Sequence, residues 1–335
     1  MIRTSSQTYT AIHDLTIRPF HWDHFPALVE LMRVSLATDG VEGGVNYEEE
    51  EHDWRSPELD PERQCLLAFD AGGRLAAFGV TENPRELHRA YGLIMVHPDF
   101  RHTAIGSTLI RQTDARFFAE VEADVPQDTS IFVQRWARDS EAYYRTLIEA
   151  EGYEIVRHFF SMRIDLDQPL SPARLPDGFE LRPFDPEKHA EAVFQAVDSA
   201  FHDHWGHAPV TFDIWRRERI ESPYFDANLW LVAWAGDEVA SVAMCRPWGE
   251  DIPGLAWLSN LATPRKYRRR GLGDALLRQA FYTFQHQGFD KAGLGVDSSN
   301  PTGAVGLYER AGMHVHRSSV VYRKLLRGNP DDLAK

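Results

Sequence analysis

The segment RKYRRRGLGDALLRQAF, Arg265–Phe281, sets two glycines between a basic run and an apolar pattern at Leu276, Leu277, Ala280, Phe281 and Phe284. Spacing of three and four puts those apolar residues on one face of a helix that starts near Gly271. The glycines then fall at the helix N-terminus, where the first N–H groups lack internal partners and the dipole adds partial positive charge. Such a place suits a phosphate. Glycine lets the backbone approach an anion with no Cβ in between, and the adjacent arginines supply forked, charged donors. The same residues also fit a glycine-capped helix beside a solvated basic run. A nucleic-acid patch is a third reading, disfavoured because Tyr267 is the one stacking aromatic in the run. Neither a G-K-[ST] phosphate loop nor a G-x-G-x-x-G dinucleotide fingerprint is present in the segment.

A second group of reactive side chains lies in FHDHWGHAPV, Phe201–Val210, where His202, His204 and His207 cluster. Their spacing is not the H-x-x-x-H or H-E-x-x-H of two ligands on one helix face, so no metal is expected. Substrate contact through His204 and Trp205 is one reading, and a packed aromatic turn is the other. The two cysteines, Cys65 and Cys245, are far apart and outside metal-ligand spacing, which favours reduced thiols over a disulfide framework.

The elements that position these groups follow from the chain as a whole. Its 335 residues exceed what one hydrophobic core usually organises, so two domains are expected. With 43% hydrophobic and 26% charged residues the composition is that of a folded globular protein. The formal net charge of -14 disfavours a general attraction to nucleic acid or to anionic membranes. No run of about 18 apolar residues occurs, and MIRTSSQTYTAIHD lacks the apolar centre of a signal peptide, so a cytoplasmic protein is expected.

Three blocks recur in the same order. LTIRPF at Leu15–Phe20 returns as FELRPF at Phe179–Phe184, and Val96–Gln112 aligns without gaps on Thr263–Gln279, placing Arg101 on Arg268, Ala104 on Gly271 and Gly106 on Gly273. LIEAEGYEIVRHFFSMRIDL then aligns on LYERAGMHVHRSSVVYRKLL, pairing Gly152 with Gly312 and Arg163 with Arg323. This argues for a duplication. Between the copies, DQPLSPARLPDG reads as an extended connector, its three prolines and final glycine disfavouring a packed element. The expected division is therefore 13–166, a linker at 167–178, and 179–328. Each half reads as α/β with one long mixed sheet, including a hairpin at Gly236–Asp237 and a strand at Ala256–Thr263 before the glycine segment.

Arg268-x-x-Gly271-x-Gly273 after one strand, followed by VDSSNPTGAVGLYERAGM after the next, resembles the two hallmark motifs of the GNAT superfamily of N-acetyltransferases. The resemblance covers the second half nearly end to end and implies two tandem acyl-CoA N-acyltransferase folds. It implies that the backbone of Arg268, Arg269, Arg270, Gly271, Leu272, Gly273 and Asp274 holds the pyrophosphate of acetyl-CoA. Leu261, Ala262 and Thr263 would pair with pantetheine on a strand that splays from its neighbour, Asn300 would contact the cofactor, and Tyr308 would meet the departing thiolate. A phenol with a reference pKa of about 10 is protonated at neutral pH and can hydrogen-bond the sulfur, and an N–H of the splayed strand can serve the oxyanion. An acceptor amine must lose a proton before attack. The carboxylate that many members carry on the preceding strand is missing from LAWLSNLAT, which leaves Glu250, Asp251 and Asp297 as candidates for the base, and Asp251 also as an acceptor contact with His204 and Trp205.

In the first half Ala104 replaces Gly271, Ser140 replaces Asn300 and Ile148 replaces Tyr308. Isoleucine has no proton to give, and Tyr143 or Tyr144 sits about a helical turn away. The tandem layout is similar to that of the mycothiol synthases, in which the C-terminal half is the active acetyltransferase. The expectation is an acetyl-CoA-dependent N-acetyltransferase acting through its second half on an amine of a small molecule or peptide, as a monomer or homodimer, without nucleic acid, membrane or metal. The alternative is a non-catalytic acyl-CoA-binding regulatory protein.

Overall fold

The computed structural model describes residues 14–248, 252–300 and 303–333. The described residues form two compact units, one comprising the chain up to Val156 together with Val320–Ala334, the other Arg157–Ser319.

In the first unit the order is β1 (Thr16–Pro19), α1 (Phe25–Thr38), α2 (Tyr47–Trp54), α3 (Pro61–Gln64), β2 (Cys65–Phe69), β3 (Leu75–Glu86), β4 (Arg89–Val96), α4 (Ile105–Val121), β5 (Ile131–Arg138) and α5 (Ala142–Ala150). Then β6 (Glu154–Asp165) passes, from Arg157 onward, into the second unit. There follow β7 (Glu180–Pro183), α6 (Pro186–Phe201), α7 (Phe212–Arg219), β8 (Leu231–Ala235), β9 (Glu238–Pro247), β10 (Leu255–Ala262), α8 (Leu272–His286), β11 (Lys291–Asp297) and α9 (Ala304–Arg310). Finally β12 (His314–Arg327) returns, from Val320 onward, to the first unit.

The sheet order within the first unit is therefore β1-β2-β3-β4-β5-β12, and within the second β6-β11-β10-β9-β8-β7. Each is mixed, as the sequence pattern predicts. The closing strand of each sheet differs from the sequence blocks. Arg157–Leu166, which the repeat assigns to the first half, packs in the second unit, where Met162 and Leu166 join the core beneath α8. Val320 and Tyr322 correspondingly join the core of the first unit. The repeat could not reveal this, because both copies of the strand have the same pattern and either fits either sheet.

In the second unit, alternation along β9 sends Ala243 and Cys245 toward α8 and Val242 and Met244 toward α6. The α8 stripe of Leu272, Leu276, Leu277, Ala280, Phe281 and Phe284 is buried on the first of these faces, each large side chain contributing roughly 1.5–3 kcal/mol. On the other face lie Val193, Val197 and Ala200 of α6 with Trp215 of α7. Asp185 caps α6 by accepting from the Glu187 N–H, with Pro186 in its first turn. Residues 167–178 form neither helix nor strand and lie along α8: the N–H groups of Leu170 and Ala173 donate to the side-chain carbonyls of Gln285 and Gln279, each at 2.9 Å.

Candidate active site

The central feature of the second unit is a fork between two parallel strands. β10 and β11 pair from Leu255↔Lys291 to Leu258↔Leu294, after which β10 continues along β9 with a register shift between Leu258 and Asn260. β11 continues along β6 as far as Asp297↔Phe159. The edge of β10 that carries Leu261 and Ala262 thus leaves its parallel neighbour. Ser241, fully buried on β9, fixes the end of that edge by donating to the Ala262 carbonyl at 2.9 Å, with its hydroxyl 2.7 Å from that of Thr263.

Beyond the strand, Arg265–Tyr267 makes a tight turn whose basic residues are largely engaged: Arg265 pairs with Asp203, while Lys266 and the Tyr267 hydroxyl share Glu238. Arg268 faces inward. Its Nε donates to the Thr263 carbonyl at 3.0 Å and its Nη2 to the Ala200 carbonyl at 2.8 Å, tying the loop to the end of α6. Arg269 and Arg270 are exposed, and neither makes an ion pair among the described residues.

Gly271 caps α8 at φ +83°, a left-handed conformation that glycine adopts without a Cβ penalty. The cap carries no side-chain hydrogen bond, so the first-turn N–H groups stay available to an anion, and the Asp274 carboxylate is turned to Arg278 Nε at 2.9 Å. A Cβ on Gly273 would meet nothing nearer than Leu307 at 3.7 Å. The chain's own packing does not require that glycine.

Tyr308 projects from α9 and is 8% exposed. Burial pushes its phenol up to about 12, and its hydroxyl makes no hydrogen bond among the described residues. Asn300 donates its N–H to the Asp297 carbonyl at 3.1 Å in the turn after β11. The Asp297 carboxylate accepts from Arg157 Nε and Nη2 at 2.9 and 2.7 Å, and Arg157 in turn lies over the Trp205 ring at 5.5 Å. Trp205 is therefore brought to the end of β11. His204 packs its ring against Phe201 at 4.4 Å, and its pKa is lowered by burial and then by the positive charge of Arg268. Glu250 and Asp251 lie outside the described residues.

The first unit has the same frame filled from within. β4 and β5 pair only from Arg89↔Phe132 to Tyr91↔Gln134, although β4 runs to Val96. The fully buried Arg135 guanidinium occupies the opening, where a Cβ on Gly92 would fall 2.6 Å from it. Arg101 repeats the bracing of Arg268, with Nε on the Val96 carbonyl at 3.3 Å and Nη2 on the Ser35 carbonyl at 3.4 Å. Ala104 at the helix cap has φ −80°. A Cβ on Gly106 would lie 2.7 Å from Leu147 and 3.1 Å from the Tyr143 hydroxyl, and Arg101 covers the Tyr143 ring at 4.8 Å. Tyr143 aligns with Gly303, beside which a Cβ would meet nothing within 4 Å. Arg135 is not conspicuous in the sequence alone, and Tyr143 stands out there only as a tyrosine near Ile148; the signal for their filling role is a bulky residue opposite a glycine in the repeat.

Comparison with known proteins agrees with this geometry. The model of the acetyltransferase (GNAT) family matches residues 28–147 and again 190–313. The chain belongs to that family, and carries its domain twice. A mycothiol acetyltransferase of Thermobispora bispora is 30% identical over 77% of this chain and 83% of its own length. Among solved structures, a GCN5-related N-acetyltransferase from Sphaerobacter thermophilus superposes with a TM-score of 0.76 at 29% identity, covering 96% of this chain and 98% of that one. A tandem GNAT protein from the clavulanic acid biosynthesis pathway shares the fold, with a TM-score of 0.71 at 15% identity over 93% and 98% of the two chains. The protein is thus a tandem GNAT-type N-acetyltransferase resembling the mycothiol acetyltransferases. Among the described residues no helix is long and apolar enough to cross a membrane.

Proposed function

We propose that the second unit binds acetyl-CoA and transfers its acetyl group to an amine of a small molecule or peptide, while the first unit supports it without chemistry of its own. The observation that carries this reading is the contrast at the two helix caps: left-handed Gly271 with an unfilled first turn, against Ala104 with Tyr143 and Leu147 packed on Gly106.

In this reading the first N–H groups of α8, with Arg269 and Arg270, receive the pyrophosphate, and Arg268 holds the loop in shape rather than touching the cofactor. The free edge of β10 at Leu261–Thr263 pairs with the pantetheine amides, and Asn300 contacts the cofactor from the other strand. The deprotonated amine attacks the thioester carbonyl, an N–H of β10 stabilises the oxyanion, and the C–S bond breaks as the amide forms. Tyr308 donates a hydrogen bond to the leaving thiolate. Its raised pKa makes full proton transfer to sulfur uphill, so stabilising the thiolate is its main task. His204 and Trp205 stand on the acceptor side, and the amine proton leaves through His204, Asp297 or water.

The test is release of CoA with a panel of amines, including the amine precursor of mycothiol because of the relatives' name. Tyr308→Phe is expected to lower kcat about 10–1,000-fold with the acetyl-CoA Kd changed less than threefold. Unchanged kcat in that variant would remove Tyr308 from the mechanism.

A further inference from the structure

On the sheet face away from α8, the second unit presents a row of cross-strand neighbours: Arg246 of β9 opposite Trp257 of β10, Trp257 opposite Gly293 of β11. Leu258 and Leu294, which alternate with them, belong to the core beneath α8. The Trp257 ring reaches over β11. A Cβ on Gly293 would fall 2.7 Å from its ring, so that glycine is required for the indole to settle there. Gly295, next on the same face, is exposed, and a Cβ on it would meet nothing nearer than the Trp257 ring at 3.9 Å. Trp248 packs on Trp257 with ring centroids 4.4 Å apart, and the Arg246 guanidinium covers the Trp248 ring at 5.3 Å and the Tyr224 ring at 5.5 Å. Trp257, Trp248 and Arg246 are all half-buried rather than enclosed in a core.

The position of this surface matters. Trp257 immediately precedes Leu258, the last residue of β10 paired with β11, and Gly295 immediately follows its partner Leu294. Both lie within one residue rise, about 3.3 Å along the strand, of the point where the fork opens. We infer that Trp257 and Gly295 form the acceptor platform, and that the amine substrate carries a ring that stacks on the indole above the bare backbone of Gly295. An indole edge beside an exposed, side-chain-free strand segment offers a flat apolar contact to an aromatic ring or to the CH face of a saturated one. A linear amine gains little from it. The corresponding residues of the first half, Ala90 for Trp257 and Arg135 for Gly295, build no such surface. The inference rests on the reading that the second unit carries the chemistry.

Acetylation of tyramine, glucosamine and cadaverine, followed by CoA release, tests it and separates an aromatic ring from a sugar. For at least one of the two ring amines, kcat/KM is expected to exceed that for cadaverine tenfold or more. Trp257→Leu is expected to cut that preference below threefold. Gly295→Val, which raises a branched side chain over the platform, is expected to do the same, while Gly295→Ala retains most of it. Calorimetric Kd for acetyl-CoA is expected to stay within twofold in each variant, which also reports that they fold. Equal use of cadaverine, an equal loss for all three amines in Trp257→Leu, or no turnover of either ring amine by a protein that binds acetyl-CoA overturns the platform. Failure of the wild-type protein to bind acetyl-CoA overturns instead the reading on which it rests.

Discussion

Gly271 and Ala104 hold the same place in the repeat yet have opposite backbone hands, φ +83° at one helix cap and −80° at the other. The first conformation costs a residue with a Cβ about 1–2 kcal/mol, and the second suits alanine. Gly271→Ala is therefore expected to lower the melting temperature by about 2–6 °C and to weaken acetyl-CoA binding about tenfold or more as the loop rearranges. Ala104→Gly should destabilise by less than about 1 kcal/mol and leave acetyl-CoA affinity unchanged. Scanning calorimetry and titration calorimetry read the two effects. An unaltered Kd in Gly271→Ala would show that the left-handed cap is not needed for the cofactor.

A second expectation concerns stoichiometry. Tyr143 and Leu147 crowd Gly106, and Arg135 fills the fork above Gly92. Native mass spectrometry at saturating acetyl-CoA should show one cofactor per chain, and it should disappear, or weaken sharply, in Gly271→Ala rather than in variants of the first unit. Two bound cofactors per chain would mean that those side chains move aside.

A third follows from Glu50 on α2, whose carboxyl is raised to about 7 by burial and then by Asp53 and Glu49. An unfolded glutamate ionises near pH 4.3, so between about pH 4.3 and 7 the folded chain holds more protons than the unfolded one and stability falls as pH rises. Glu50→Gln should raise stability at pH 8 by about 1–3 kcal/mol, a range reduced for the partial exposure of the side chain, and by much less at pH 5. Thermal melts at both pH values decide it; an equal shift at each would show that the charge of Glu50 is not the cause.

Much of this architecture was legible in the residues. The tandem α/β fold, the strand before the glycine segment, and the start of α8 at its glycine cap all follow from periodicity and from three repeated blocks. The direction of a guanidinium was not. Arg268 reads as a phosphate donor beside two glycines, but its Nε and Nη2 reach the carbonyls of Thr263 and Ala200, the latter on a helix far away in sequence. Trp257 was equally obscure, because an aromatic in an apolar strand reads as core until its neighbours on β11 prove to be glycines. Such assignments depend on contacts across strands, and no local pattern encodes them.

The crossing over of the closing strands bears on how such a protein can evolve. A deletion that discarded everything after the connector would take Val320–Arg327 with it and leave the first sheet with a bare edge beside β5. Discarding the residues before it would remove Arg157–Asp165, and with them the strand that pairs β11 from Lys291 to Asp297. Neither half of the gene can be lost, shuffled or transferred alone. Each copy of the fork is therefore kept with the other, even where the interior of one has filled with tyrosine, leucine and arginine.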